Sequence, residues 1–266
     1  MQLQHLLAAT LVAAVPTVAS AATVTTPFLE TFDDATTDVS FGYNDFGAAS
    51  SGTGVNGTGP GWTVTGGQAV FFNNSDFGDV GAADVVTDTA GVVSFSTSAD
   101  FDVTTINFSG TNTGVYAFGQ SGLDFSENFV GLYAFVDLNG GSGSDYTFRL
   151  LRGAGGTNTP LQQSASFDLT DGTPDFSIDL VGIADGLGNF DITATLTPDG
   201  NTPIVLTDTV TAGELLQGNR FGVRVNPTFN TAEIGIDNLA VNVVIPEPTS
   251  AMALGVLGLL GLRRRR

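Results

Sequence analysis

The chain has 266 residues, eight arginines, no lysine or cysteine, 27 acidic residues and a formal net charge of −19. Its single histidine, His5, lies near the N-terminus, so a Ser-His-Asp or Cys-His catalytic site, a zinc site built on imidazole or thiolate, and a lysine nucleophile are excluded for the rest of the chain. The acidic surface repels nucleic acid, which excludes that partner.

The first 21 residues predict a secretory signal peptide. Leu6 to Val15 form an apolar segment, and Ala19 and Ala21 form a small-residue cleavage site. The apolar run is too short to favour the alternative, an uncleaved membrane anchor. The sequence therefore predicts export, with residues 22–245 as the folded domain.

Residues 22–245 predict one all-β domain that is long enough to bury a sizeable core. Phe129–Leu138 is apolar at nearly every position, which predicts a central strand covered on both faces. Asn189–Thr197 alternates between apolar and polar residues, and a turn at Pro198–Asn201 and a return strand at Ile204–Thr209 complete a predicted hairpin. Further strands are predicted at Gln68–Phe72, Gly91–Thr97, Gly114–Gly119, Tyr146–Leu151, Arg220–Val225 and Ile234–Val244, and one helical turn at Thr211–Gln217. Many short strands without an internal repeat predict a two-sheet antiparallel β-sandwich.

The two ends of this domain narrow the fold. It opens with FLETFDD and GWTVTGGQAVFF and closes with RFGVRV and AEIGIDNLAVNVV. This order resembles the jelly-roll sandwiches of carbohydrate-binding modules and of concanavalin A-like or laminin G-like domains. The resemblance implies that the first and last strands pair and that Glu30, Asp33 and Asp237 are calcium ligands. The alternative is that Glu30 and Asp33 lie on a solvated turn and that Asp237 caps a strand end.

Aromatic and acidic residues bear on sugar binding and on catalysis. Tyr43, within FGYNDFG, is the aromatic residue expected to be exposed for stacking on a sugar, whereas Trp62 is expected in the core.

Glutamate occurs at five positions only, and none is spaced as in the E-x-D-x-(x)-E signature of sandwich glucanases. The chain is therefore predicted not to be an enzyme, and a carboxylate-based glycan hydrolase is the weakest alternative.

The last 21 residues, 246–266, have three parts. The first is an extended segment that cannot join a helix, Pro246, Glu247 and Pro248. Thr249–Leu262 would form an apolar helix of about 21 Å, short of the bilayer's hydrocarbon core of about 30 Å. The last part would stay on the cytoplasmic side of a membrane and consists of Arg263, Arg264, Arg265 and Arg266.

This tail resembles the PEP-CTERM sorting signal of bacterial surface and exopolysaccharide-associated proteins. The resemblance implies transient membrane insertion through the C-terminal helix, processing by an exosortase-type membrane protease, and delivery to the cell envelope or extracellular matrix. A short permanent tail anchor is the alternative. The sequence thus predicts an exported protein with a structural or adhesive role in exopolysaccharide, which requires no cofactor. The alternative function is a carbohydrate-binding module that depends on Ca²⁺.

Overall fold

The computed structural model describes residues 28–33, 40–45, 62–65, 67–72, 76–82, 91–103, 111–119, 131–138, 146–154, 157–167, 175–215, 218, 220–226 and 233–245. Within them the chain forms fifteen β-strands and one short helix. The strands are, in chain order, β1 (Phe28–Glu30), β2 (Ser40–Asp45), β3 (Trp62–Thr65), β4 (Gln68–Phe72), β5 (Asp76–Ala82), β6 (Ser94–Val103), β7 (Thr111–Gly119), β8 (Gly131–Leu138), β9 (Tyr146–Ala154), β10 (Thr157–Gln163), β11 (Phe176–Ala184), β12 (Asn189–Pro198), β13 (Ile204–Thr211), β14 (Arg220–Asn226) and β15 (Glu233–Val244). The helix α1 (Ala212–Leu215) follows β13 and confirms the predicted helical turn.

The strands form two antiparallel sheets. The eight-stranded sheet has the order β13-β12-β11-β6-β15-β4-β3, with β1 added beside β15, and the seven-stranded sheet has the order β10-β9-β8-β7-β14-β5-β2. The predicted pairing of the first and last strands is confirmed, because Phe28 pairs with Val241 and Glu30 with Leu239. The all-β antiparallel sandwich predicted from the sequence is therefore confirmed.

One hydrophobic core joins the two sheets. Each strand that borders it buries alternate side chains, as the period of two in an extended chain requires. In β12 the buried side chains are Phe190, Ile192, Ala194 and Leu196. Phe95 of β6 packs on Phe118 of β7 at 4.8 Å and lies 6.3 Å from Phe221 of β14, between ring centroids, so aromatic contacts connect the sheets.

The predicted hairpin and the predicted central strand are both confirmed. β12 and β13 pair from Asn189 to Leu196, and their turn is closed by an Asn201 amide N–H that donates to the Pro198 carbonyl at 3.2 Å. β8 lies between β7 and β9, and its residues 131–137 are all buried. Leu132, Ala134 and Val136 belong to the core, which places the residues between them on the opposite face of the sheet.

Two predicted segments lie outside the described residues. One is the signal peptide with its cleavage site at Ala19 and Ala21. The other is the sorting tail with Pro246, Glu247, Pro248 and the cluster Arg263–Arg266. In the part of the chain that the structure describes, no helix has the length and apolar character needed to cross a membrane.

Candidate functional site

The outer face of the seven-stranded sheet carries an aromatic cluster that is separate from the core. Tyr116 of β7 packs with Tyr133 and Phe135 of β8, and Leu151 of β9 borders them. The rings of Tyr133 and Phe135 stack with centroids 4.5 Å apart and an interplanar angle of 13°. These three aromatic side chains, hereafter the outer aromatic cluster, are nearly fully buried although they point away from the core. They therefore form a rigid base for this face.

Polar side chains surround the outer aromatic cluster. The Tyr133 hydroxyl lies 3.3 Å from both the Asn112 Oδ1 and the Arg224 carbonyl oxygen, either of which accepts its proton. The Arg224 guanidinium lies 5.6 Å from the centroid of the Tyr133 ring, within cation–π distance. Asp137, directly across from Asn112, forms an ion pair with Arg149 at 2.7 Å. Asn112 and Arg149 are partly exposed whereas Asp137 is buried, so the face offers an amide and a guanidinium to a hydroxyl-rich ligand.

All four arginines of residues 22–245 lie on the seven-stranded sheet. Arg149 and Arg152 belong to β9, and Arg220 and Arg224 belong to β14. Arg149 pairs with Asp137, and Arg152 pairs with Glu214 of α1. Against the 26 acidic residues of this range, the four cations leave residues 22–245 with a net charge of −22. An anionic ligand would be repelled by this field, so the charge balance favours a neutral ligand on this face.

A β-bulge in β15 brings carboxylates together on the eight-stranded sheet. The register against β6 shifts between Asp237 and Ala240, and Asn238 there has a φ of 51°. The bulge lies at the point where the pairing partner of β15 changes, because β15 pairs with β4 before the bulge and with β1 after it. The Asn238 amide N–H donates to Asp237 at 2.6 Å, and its side-chain Nδ2 donates to Asp100 at 2.8 Å. Burial raises the pKa of Asp237, and the charges of Asp100 and Asp33 raise it further. The hydrogen bond from the Asn238 amide acts in the opposite direction and lowers it.

The structure places two of the three predicted calcium ligands within electrostatic range of each other. The charge of Asp33 adds to the raised pKa of Asp237, as does the charge of Asp100, an acid that the sequence analysis missed. Hereafter these three are the bulge carboxylates. Glu30 is buried at the end of β1, and its Oε1 accepts a hydrogen bond from the Phe32 amide at 2.9 Å. Among the described residues, no group of three or more acidic or histidine side chains is arranged to hold a metal ion.

The predicted sugar-stacking residue belongs to the same sheet as the outer aromatic cluster. The backbone of Tyr43 pairs with Gly78, on the outermost strand β2. Its side chain is outside the described part of the structure. The sequence analysis missed Tyr133 and Phe135 as members of an outer face, although the unbroken apolar run around them was a usable signal.

The carboxyl groups of the eight-stranded sheet predict a dependence of stability on pH. Burial and the charge of Asp100 raise the pKa of Asp179, and burial is also the main cause of the raised pKa values of Asp175 and Asp237. A raised pKa in the folded state means that ionisation costs folding free energy. This cost is absent at pH values below the ordinary value of 3.8 and appears as the pH rises through the raised pKa.

These groups are therefore expected to make the protein more stable at about pH 4 than at about pH 7. Urea unfolding at low salt measures the difference. Asp179→Asn should raise stability at the higher pH by well under about 1 kcal/mol, because the group is half exposed and solvent screens it. The same substitution should reduce the difference between the two pH values. An unchanged pH dependence in this variant would contradict the assignment to Asp179.

The two sheets, their shared core and the paired terminal strands define an antiparallel β-sandwich. The seed lectin of Lotus tetragonolobus matches with a TM-score of 0.55 at 11% identity, over 84% of this chain and 100% of that one. A lectin from Bauhinia forficata in complex with GalNAc matches with a TM-score of 0.57 at 11% identity, over 83% and 99%. The CBM2 module of the evolved Dit of Lactobacillus casei BL23 phage J-1 matches with a TM-score of 0.54 at 11% identity, over 84% and 96%. At such identity these likenesses show the fold alone.

The end of the chain is similar to a different group of proteins. Residues 244–266 match the PEP-CTERM protein-sorting motif, which confirms the resemblance found in the sequence. No curated protein matches the sequence. The chain therefore combines an antiparallel β-sandwich with a sorting motif.

Proposed function

We propose that this protein is exported to the cell surface or extracellular matrix and is processed at its tail by an exosortase-type membrane protease. The motif at residues 244–266 supports this, since it contains the Pro-Glu-Pro segment, the apolar run and the arginine cluster. The apolar run inserts transiently in the membrane and holds the folded sandwich there until the chain is cut near Pro248. The sandwich then takes a structural or adhesive place in exopolysaccharide.

We further propose that adhesion results from carbohydrate binding at the outer face of the seven-stranded sheet. The observation that carries this is the polar group formed by Asn112, Asp137 and Arg149 beside the outer aromatic cluster. Tyr43 is the proposed stacking residue on the edge strand of the same sheet. The negative charge of the domain favours a neutral glycan. The lectin architecture of the matched structures adds support, since one of them is described in complex with GalNAc.

The test compares the same substitution on the two sheets. Asn112→Ala removes the amide beside Asp137, and Asn242→Ala removes an exposed amide from β15 on the other sheet. Loss of one or two hydrogen bonds to a sugar should weaken binding about tenfold in Asn112→Ala and leave it unchanged in Asn242→Ala. Equal affinities in the two variants would exclude this face. Reducing ends that accumulate during the assay would favour the hydrolase alternative instead.

Calcium binding at the β1–β15 junction is a second proposal, with Glu30, Asp33 and Asp237 as the ligands inferred from the sequence. The observation that favours it is the set of bulge carboxylates. Burial is the main cause of the raised pKa of Asp237, and the charges of Asp100 and Asp33 add to it; a divalent cation would relieve this repulsion. Because β1 and β15 are the first and last strands, a cation there would fasten the two ends of the domain together.

Thermal unfolding with calcium and with a chelator tests this proposal. Calcium is expected to raise the Tm of the native protein, and Asp237→Ala is expected to abolish that increment, because binding to the folded state alone stabilises it. Asp208→Ala, a substitution on the distant edge strand β13, should retain the increment. If Asp237→Ala shifts the Tm equally with and without calcium, the junction binds no calcium.

A further inference from the structure

Exposed apolar side chains concentrate at one end of the eight-stranded sheet. Six large hydrophobic side chains are clearly exposed among the described residues, and four of them are Val93, Ile183, Leu187 and Val244. Ile183 of β11 and Val244 of β15 flank the same residue of β6, Ser94. Val93 lies beside them, because its amide N–H donates to the Val244 carbonyl at 2.9 Å and its carbonyl accepts from Ala184 at 2.8 Å. These four residues are hereafter the end patch.

The most exposed member of the end patch is held in a fixed position. Leu187 is 87% exposed and lies in the turn that joins β11 to β12. The Asp185 carboxylate accepts hydrogen bonds from the amides of Leu187 at 2.6 Å and Asn189 at 3.0 Å. Gly186 and Gly188 on either side have φ values of 75° and 97°, which glycine adopts without strain. A single exposed leucine is ordinary, but an ordered one beside three other aliphatic side chains forms a surface suited to docking.

The sorting tail leaves the sandwich at this same end. Val244 belongs to the end patch, and Ile245, the last described residue, packs against the core. The apolar run of the tail begins at Thr249, so Pro246, Glu247 and Pro248 are the only residues between. At 3.8 Å or less per residue, the path from Ile245 to Thr249 spans at most about 15 Å. When the tail is in the membrane, the end patch is therefore confined to the immediate neighbourhood of the lipid headgroups.

We propose that the end patch docks on the lipid surface while the tail holds the chain at the membrane, with Leu187 entering the interfacial layer. This rests on the proposed insertion of the sorting tail. Apolar side chains partition into that layer in proportion to the area they bury. Asp185 and Asp191 border the patch, and the domain is strongly acidic, so the surface that fits is zwitterionic and not anionic. Docking fixes the orientation of the sandwich and holds Pro246–Pro248 at the membrane surface, where a membrane protease acts.

Site-specific fluorescence on the full chain tests the proposal, because the protein has no natural cysteine. Leu187→Cys, Asn201→Cys and Val256→Cys each receive one fluorophore, and the labelled chains are reconstituted in phosphatidylcholine vesicles that contain a lipid-borne quencher. Residue 201 lies at the opposite end of β12 from residue 187. The quencher is expected to remove most of the emission at 187 and 256 and to leave the emission at 201 unchanged.

Each other pattern overturns the proposal in a recognisable way. A quenched label at 256 with an unquenched label at 187 means that the tail inserts and the end patch does not dock. An unquenched label at 256 contradicts tail insertion itself and with it the docking. If the label at 187 is shielded from solvent only when a membrane protease is added, the end patch is a protein-binding surface instead. Ile183→Ser should lessen quenching at 187, whereas Val205→Ser, at an exposed valine outside the end patch, should leave it unchanged.

Discussion

Replacing Gly114 by alanine is expected to destabilise the sandwich by about 3 kcal/mol or more, because the new methyl group has no space. A Cβ at this position of β7 would lie 2.0 Å from the Ala134 carbonyl oxygen and 2.5 Å from the Phe135 Cα. Both atoms belong to the backbone of the neighbouring strand β8 and cannot rotate away. For a domain of this size the loss corresponds to a fall in Tm of about 6 to 12 °C, measurable by calorimetry.

Gly213→Ala is the matched control for this prediction. A Cβ at Gly213 in α1 would meet nothing within 4 Å, and alanine has the higher helix propensity, so stability should be equal or slightly greater. If both variants unfold at the temperature of the native protein, the close approach of β7 and β8 at Gly114 is wrong. If only Gly114→Ala loses stability, the close approach of β7 and β8 at Gly114 is confirmed.

Phe95→Ala is expected to cost about 3 to 5 kcal/mol, the usual range for removing a buried aromatic ring. The ring of Phe95 is buried in contact with Phe118 and Phe221 of the seven-stranded sheet, and Phe190 packs on it from β12. It also lies over Gly182, where any side chain would collide with it. The substitution therefore opens a cavity between the two sheets, and urea unfolding measures the loss.

Phe95→Leu keeps most of the volume and is expected to cost only about 1.5 kcal/mol or less. Equal losses for alanine and leucine would show that the aromatic contacts, and not the filled volume, hold the sheets together. A negligible loss for Phe95→Ala would contradict the position of this ring in the shared core.

The parts of the fold that the sequence predicted are those in which burial leaves a clear apolar pattern along the strand. The hairpin of β12 and β13 shows the period of two along its whole length, and the position of β8 follows from an apolar run that only a doubly covered strand tolerates. The pairing of the chain ends was also predicted, from the resemblance to jelly-roll domains. Its physical basis is the extended hydrogen-bonding edge that β15 offers next to its bulge.

The strands that the sequence analysis missed or misplaced have, for the most part, weaker hydrophobic patterns. β10, with the sequence TNTPLQQ, is polar and largely exposed, and its pairing with β9 alone makes it a strand. β6 was predicted at Gly91–Thr97 but is observed at Ser94–Val103, because its outward-facing serines and aspartates resemble a loop. β11 was missed although Phe176, Ile178 and Leu180 alternate clearly.

The candidate site was less predictable than the fold. Asp100 joins Asp33 and Asp237 only through the register of β6 on β15, although residues 100 and 237 are 137 positions apart in the chain. Asn112, Asp137 and Arg149 lie on the consecutive strands β7, β8 and β9, but no local pattern predicts the register that brings them side by side. Tyr43 was chosen because it lies within FGYNDFG and was expected to be exposed, and its role stays a prediction. The sorting tail, by contrast, is a contiguous motif and was predicted from the sequence alone.

The most direct test of the account is a titration of the purified protein with a panel of neutral and acidic polysaccharides, in calcium and in chelator. We expect saturable binding to a neutral glycan and none to polyanions at low salt, because the acidic domain repels them. Binding that occurs in calcium but not in chelator would also support a bound cation at the β1–β15 junction. Absence of saturable binding to every glycan under both conditions would contradict carbohydrate recognition by the sandwich and leave the sorting tail as its only functional assignment.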